Sequence, residues 1–252
     1  MNDPWQHLRG FTAARIALGR AGGSLPTAPL LDFRLSHARA KDAVLAPFDP
    51  LDLAEKLSGL HGHPLVLESR ALDRATYLRR PDYGRALSQH SRELLEDVDR
   101  SADLAIVLSD GLSTRAVMEQ AVPLLSALLP LLVKDGWIVA PLCIVRHGRV
   151  AIQDEVGGLL GAKLSLMLLG ERPGLGSPDS LGAYFTFSPE AGKTDADRNC
   201  VSNIRPEGLA PELAARKLHA LLTASYRLGL SGIGLKDDTP VMGLGGVTGI
   251  EG

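Results

Sequence analysis

Ala102-Asp-Leu-Ala-Ile-Val-Leu-Ser-Asp-Gly-Leu-Ser-Thr114 is the stretch whose reading decides the fold. Ala102 to Leu108 is a short apolar run of strand length. Ser109-Asp-Gly-Leu-Ser113 then punctuates it, and Ser113 suits the N-cap of a helix starting at about Thr114. Strand, tight loop and helix form the first half of a parallel crossover unit. The pattern repeats outward. Pro64 to Leu67, Trp137 to Val145 (interrupted by Pro141), Lys163 to Leu169 and Ala183 to Phe187 read as strands, and Cys200 to Ile204 as a weak extended segment. A final helix is predicted from Pro211 to about Leu228, with Pro211 in its first turn and Gly229 at its end. This alternation predicts an α/β fold, Rossmann-like and doubly wound, with a mostly parallel sheet.

No strand signal precedes Pro64, so residues 1–60 are expected to be a helical N-terminal region, 61–238 the α/β domain and 239–252 a Gly-rich mobile tail. Between Pro29 and Pro47, Leu30, Leu31, Leu35, Ala38, Val44 and Leu45 fall at helical spacing, interleaved with Arg34, His37, Arg39 and Lys41. That basic face is either a solvated surface or a docking surface for another chain.

Composition narrows the function classes. A length of 252 residues suits one large domain, or a medium one with a small appendage. Aromatics are only 4%, so the core must rest on Leu, Val, Ile and Ala. A net charge of -2 argues against a nucleic-acid binder, which needs a concentrated basic face. Cys143 and Cys200 cannot build a disulfide framework, which fits a reducing, cytoplasmic setting. Met1 to Gly10 lacks the apolar core of a secretory signal. The apolar run Val122 to Val133 is broken by Pro123 and Pro130 and is too short to span a bilayer.

Ligands of such sheets bind beyond the carboxyl ends of the strands. Three polar loops are expected there: Ser109–Ser113, Glu171–Ser180 and Asp195–Asn203. Ser113 either caps its helix only or lines a cofactor cleft. Glu171 follows a buried strand, and Arg172-Pro-Gly-Leu175 fits a turn that would fix its direction. Its carboxylate either accepts from a ligand or pairs with Arg172 or Arg198. Taken alone, Cys200 reads as a small buried residue. No histidine spacing supports zinc, and Gly243–Gly249 lacks the flanking strand and helix of a dinucleotide loop.

Several blocks resemble the small (light) chain of ethanolamine ammonia-lyase. They are Thr12–Thr27, Leu31-Asp-Phe33, Ser36–Val44, Leu108–Ser113, Gly148-Arg-Val-Ala151, Gly170-Glu-Arg-Pro-Gly174 and Asn199-Cys-Val-Ser-Asn203. The resemblance implies a helical N-terminal piece before a Rossmann-like domain, and assembly with a large chain into a hetero-oligomer. It implies adenosylcobalamin held where the chains meet, with ethanolamine in the large chain's barrel. It further implies an adenosyl radical that abstracts hydrogen, giving acetaldehyde and ammonia. Carried over position by position, it makes Val150, Glu171 and Cys200 cobalamin contacts, with no acid–base residue. The Asp-x-His-x-x-Gly signature of a cobalt-ligating histidine is absent, so the cofactor is expected to keep its own base on cobalt. The resemblance leaves open free cytoplasm or a bacterial microcompartment. Two readings compete: a stand-alone Rossmann-like nucleotide-dependent enzyme, and a non-catalytic scaffold. The first wants a glycine-rich loop after the first strand, and Glu68-Ser-Arg-Ala-Leu-Asp73 contains no glycine.

Overall fold

The structure, a computed structural model, describes residues 5–12 and 14–236. The 239–252 segment, expected to be a tail, lies outside the described residues. In chain order the regular elements are α1 (Thr27–Leu45), α2 (Pro50–His61), β1 (Leu65–Glu68), α3 (Arg74–Arg79), α4 (Gln89–Glu96), β2 (Leu104–Ser109), α5 (Thr114–Lys134), β3 (Cys143–Arg146), α6 (Ile152–Leu159), β4 (Leu164–Gly170), β5 (Leu181–Phe187), β6 (Arg198–Ile204) and α7 (Pro211–Leu228). Short 3-10 turns punctuate them.

The six strands form one sheet in the order β1-β3-β2-β4-β5-β6. β1, β3, β2 and β4 are parallel, while β5 runs antiparallel to both β4 and β6. The expectation of a mostly parallel sheet is therefore corrected: the sheet is mixed. The reason is local. Residues 171–180 between β4 and β5 hold no helix, so the chain turns straight back instead of crossing over. The expected strand at Trp137–Val145 shrinks to β3, with Val139 making one isolated bridge to Leu104. Pro141, which has no N–H to donate, separates the two.

Strand alternation builds two cores. Leu104, Ile106 and Leu108 of β2 and Leu166 and Leu168 of β4 face one way, onto α2, α5 and α7. Ala105, Val107, Met167 and Val145 face the other way, onto α4 and α6 through Leu95, Ile152 and Val156. Both faces are thus covered, as the continuous burial of β2 and β4 requires.

α5 runs unbroken through Pro123 and Pro130, the two prolines that interrupt the apolar run. Each proline forfeits a bond to the carbonyl four residues back and costs about 3 kcal/mol. Both prolines, and the Glu119 and Ser126 carbonyls they leave free, lie on the exposed side where water can serve them. Fully buried Leu124, Leu125, Leu128 and Leu132 outweigh that cost at about 1.5–3 kcal/mol each. By length and composition α5 could cross a membrane. Its packing against the sheet and α7 makes it the core helix of this domain.

Candidate functional site

The carboxyl ends of β1, β3, β2 and β4 gather the loops Ser69–Asp73, His147–Ala151, Asp110–Ser113 and Glu171–Ser180 at one edge. Asp110 knots three of them. It is 1% exposed, accepts from Arg74 Nη1 at 2.9 Å and from the His147 amide at 2.8 Å, and receives the Ser109 hydroxyl. Burial pushes its carboxyl above the ordinary range; His147, Arg74 and Ser109 pull against that. Ser109 accepts from the Gly148 amide at 2.8 Å, so the loop carrying Val150 is pinned to the end of β2. Ser113 is the N-cap expected of it and makes a second bond besides. It accepts from the Ala116 amide as N-cap of α5, and its hydroxyl donates to Pro178 O at 2.7 Å, tying down the β4–β5 connection.

Glu171 pairs with neither Arg172 nor Arg198. Its Oε2 accepts from the Ser180 hydroxyl at 2.5 Å and the Asn203 amide at 3.3 Å. Oε1 accepts nothing among the described residues and lies beside Gly182, where a Cβ would stand 2.8 Å from it and 2.9 Å from the Tyr184 ring. Only a residue without a side chain lets Glu171 and Tyr184 lie together over β5. The turn expected at Arg172–Leu175 sits two residues later: Gly174 and Ser177 exchange backbone bonds at 3.2 and 3.3 Å, closing over Leu175-Gly176.

Cys200 is paired with Tyr184 across β5 and β6. Its expectation as a buried residue is corrected, because the pleat turns it to the exposed side. Crowding on that surface still pushes its thiol up to about 11, against an opposing hydrogen bond from Tyr184 and helped by the Glu171 charge. Tyr184 is likewise raised, chiefly by its own burial. Alkylation by iodoacetamide proceeds through the thiolate. Cys200 is therefore expected to label with a midpoint near 11, not near the ordinary value of about 8.5. Peptide mapping over a pH series checks this; a midpoint below 9 contradicts it. Buried Cys143, pushed to about 12, should stay unlabelled in folded protein.

The structure thus brings Glu171 and Cys200 together around Tyr184. Val150 stands apart from that pair, on the β3–α6 loop, against the same apolar core as Tyr184. From β3 to β6 is four strand spacings, about 19 Å at ~4.8 Å each. A site marked by all three residues suits a broad, flat ligand. Tyr184 was missed by sequence reasoning; its signal was the period-two register with Cys200, legible only once β5 and β6 are paired. The third expected loop divides. Asp195–Arg198 lies at the opposite end of the sheet, because β6 runs parallel to β4, and only Asn203 reaches Glu171. Among the described residues no cluster of His, Cys, Asp and Glu could hold a metal ion.

Comparison with known proteins adds the following. The family model described as ethanolamine ammonia-lyase light chain (EutC) matches residues 2–236. The chain is 54% identical to the ethanolamine ammonia-lyase small subunit of Azotobacter vinelandii over 250 residues, covering 97% of this chain and 92% of that one. It is 50% identical over 248 residues to the protein of the same name from Pseudomonas aeruginosa, covering 97% and 91%. Against the one from Pseudomonas fluorescens it is 49% identical over 247 residues, covering 96% and 89%.

Proposed function

We propose, because the chain belongs to the ethanolamine ammonia-lyase light-chain family, that it forms one wall of an adenosylcobalamin site closed by a large chain. It is the small-subunit component of a two-chain ammonia-lyase. The reaction we assign to the pair converts ethanolamine to acetaldehyde and ammonia. When bound, adenosylcobalamin supplies the radical chemistry, which no side chain can supply.

The residues present fit that group. The observation that carries the reading is the shelf on β5 and β6, where Gly182 leaves room, Tyr184 is half-buried and Cys200 is exposed. Glu171 Oε1 is an open acceptor at its edge, suited to the amide donors around a corrin or to a ribose hydroxyl. Ser180 and Asn203 hold the other oxygen, so the carboxylate is already oriented. Val150 offers apolar contact at the β3 side, and Cys200 a small close contact at the β6 side. All three position the ligand and exclude water; none exchanges a proton with substrate. The division into a docking region, 1–60, and a cobalamin domain, 61–238, belongs to the same proposal. Two free cysteines suit the cytoplasm as its setting.

α1 supports assignment of the partner surface. It buries only Ser36 and Ala43, while Leu31, Leu35 and Leu45 are 58%, 50% and 55% exposed. A helix that turns its leucine stripe outward needs another chain to cover it. Arg34 and Lys41 are exposed on the same side and suit acidic groups there. The test mixes this chain, the large chain, adenosylcobalamin and ethanolamine, and measures acetaldehyde. Product is expected only from the full mixture, and Leu31→Asp with Leu35→Asp is expected to abolish both co-purification and product. Product from the large chain alone, or assembly that survives the double change, would overturn the respective assignment.

A further inference from the structure

Three arginines from three separate segments converge on one cleft. Arg15 precedes α1, Arg39 lies on α1 and Arg115 lies in the first turn of α5. With Ser36 and the turn residues Leu175, Gly176 and Pro178 they line about 560 Å³. Two of the guanidiniums are fixed in place: Arg15 by Asp32 at 2.7 Å and the Ser36 hydroxyl at 2.5 Å, Arg115 by Glu119 at 2.8 Å. Arg39 makes no ion pair or hydrogen bond among the described residues. Arg39 thus keeps an unpaired guanidinium in the cleft, while Asp179 and Glu207, which also act on Arg115, are both paired with Arg205. The start of α5, a 21-residue helix, adds partial positive charge beside the cleft.

We propose that this cleft is an oxyanion site that takes a phosphate group. Guanidinium forks match phosphate oxygens in geometry as well as charge. A carboxylate is satisfied by one fork, whereas three forks approaching from different elements suit a tetrahedral anion. Gly176 has nothing within 4 Å of where its Cβ would be, so the turn side stays open for whatever carries the phosphate. The cleft shares no lining residue with Val150, Glu171 and Cys200. It touches their site only through the connection between β4 and β5, which has Glu171 at its base and Leu175–Pro178 at its tip. Binding at the tip would order that connection, a consequence that rests on the cobalamin reading; the anion site itself does not.

The test is calorimetric titration of the full-length chain, without cobalamin, with inorganic phosphate and separately with a phosphomonoester such as a nucleoside monophosphate. Saturable binding is expected, weakened at least tenfold by Arg39→Ala and by Arg115→Ala and unchanged by Arg34→Ala. Arg39 is exposed and without partners, so its removal leaves the fold intact and unfolding curves should coincide. Tighter binding of the phosphomonoester would identify a phosphorylated ligand, and equal binding free phosphate; either supports the site. No saturable binding, or binding indifferent to Arg39→Ala, overturns it. Phosphate bound by the chain alone but excluded from the two-chain complex also overturns it, in favour of a socket for an acidic side chain of the partner. Adenosylcobalamin affinity of the complex, measured in parallel, separates a failure here from a failure of the cobalamin reading.

Discussion

Replacing Asp154 by Ala is expected to destabilise the chain by about 3–5 kcal/mol, the cost of stranding a buried charge. Asp154 on α6 and Arg198 at the start of β6 are each 4% exposed and meet through two parallel bonds of 2.7 Å. Arg198 also donates to Thr186 Oγ1 and to Lys193 O, both at 3.0 Å, so one guanidinium joins α6, β5 and β6. Burial pushes the Asp154 carboxyl up and Arg198 pulls it down. Without the carboxylate, Arg198 cannot shed its proton; its Nε already lacks a hydrogen bond and has only the fully exposed Asp195 carboxylate at 3.8 Å. Urea denaturation measures the loss. A change below 1 kcal/mol would contradict the role. The double change Asp154→Leu with Arg198→Met should recover most of the stability, because it removes both charges and keeps the volume.

Gly170→Ala is expected to cost about 1–3 kcal/mol or more, as overpacking against rigid backbone does. A Cβ there would run into the Ser113 carbonyl oxygen and stand 2.5 Å from that of Asp110. Neither can swing aside, since both belong to the loop that opens α5. Leu112 N donates to Gly170 O at 2.9 Å, and Gly111 enters the left-handed region at φ +54° to let the loop lie flat on the end of β4. The alanine must push the loop and the strand apart, carrying Glu171 with the strand. Stability and adenosylcobalamin affinity of the complex should therefore fall together. Wild-type stability by urea denaturation would show that the contact yields, and would sink the argument.

The alternation around Ala102–Thr114 was enough to place β1, β2, β4, α5 and α7, because buried parallel strands read as plain apolar runs and Ser113 and Gly229 mark helix ends. The direction of β5 was not legible. Residues 171–180 contain turn formers whether the chain reverses or crosses over, and only their lack of a helical period hinted at reversal. That direction in turn decided where Asp195–Arg198 falls, so one misread connection misplaced the first part of the third loop, while Asn203 at its end still reaches Glu171. Glu171 and Cys200 were named through the resemblance. Spacing alone left Glu171 open between a ligand and an arginine, and read Cys200 as buried. The Asp154–Arg198 clamp was invisible because 44 residues separate its ends. The anion cleft was hidden for the same reason, its arginines lying 24 and 76 residues apart along the chain.

The most direct test of the cobalamin shelf is the affinity of the reconstituted two-chain complex for adenosylcobalamin, with wild type and Glu171→Gln compared side by side. Gln keeps the shape and removes the charge, so the loss is that of charge-assisted hydrogen bonds, about 1.5–3 kcal/mol. Affinity is predicted to fall by about 10- to 100-fold, while turnover at saturating cofactor stays near wild type. Unchanged affinity, or turnover lost even at saturation, would contradict a purely positioning Glu171 on a cobalamin-binding shelf.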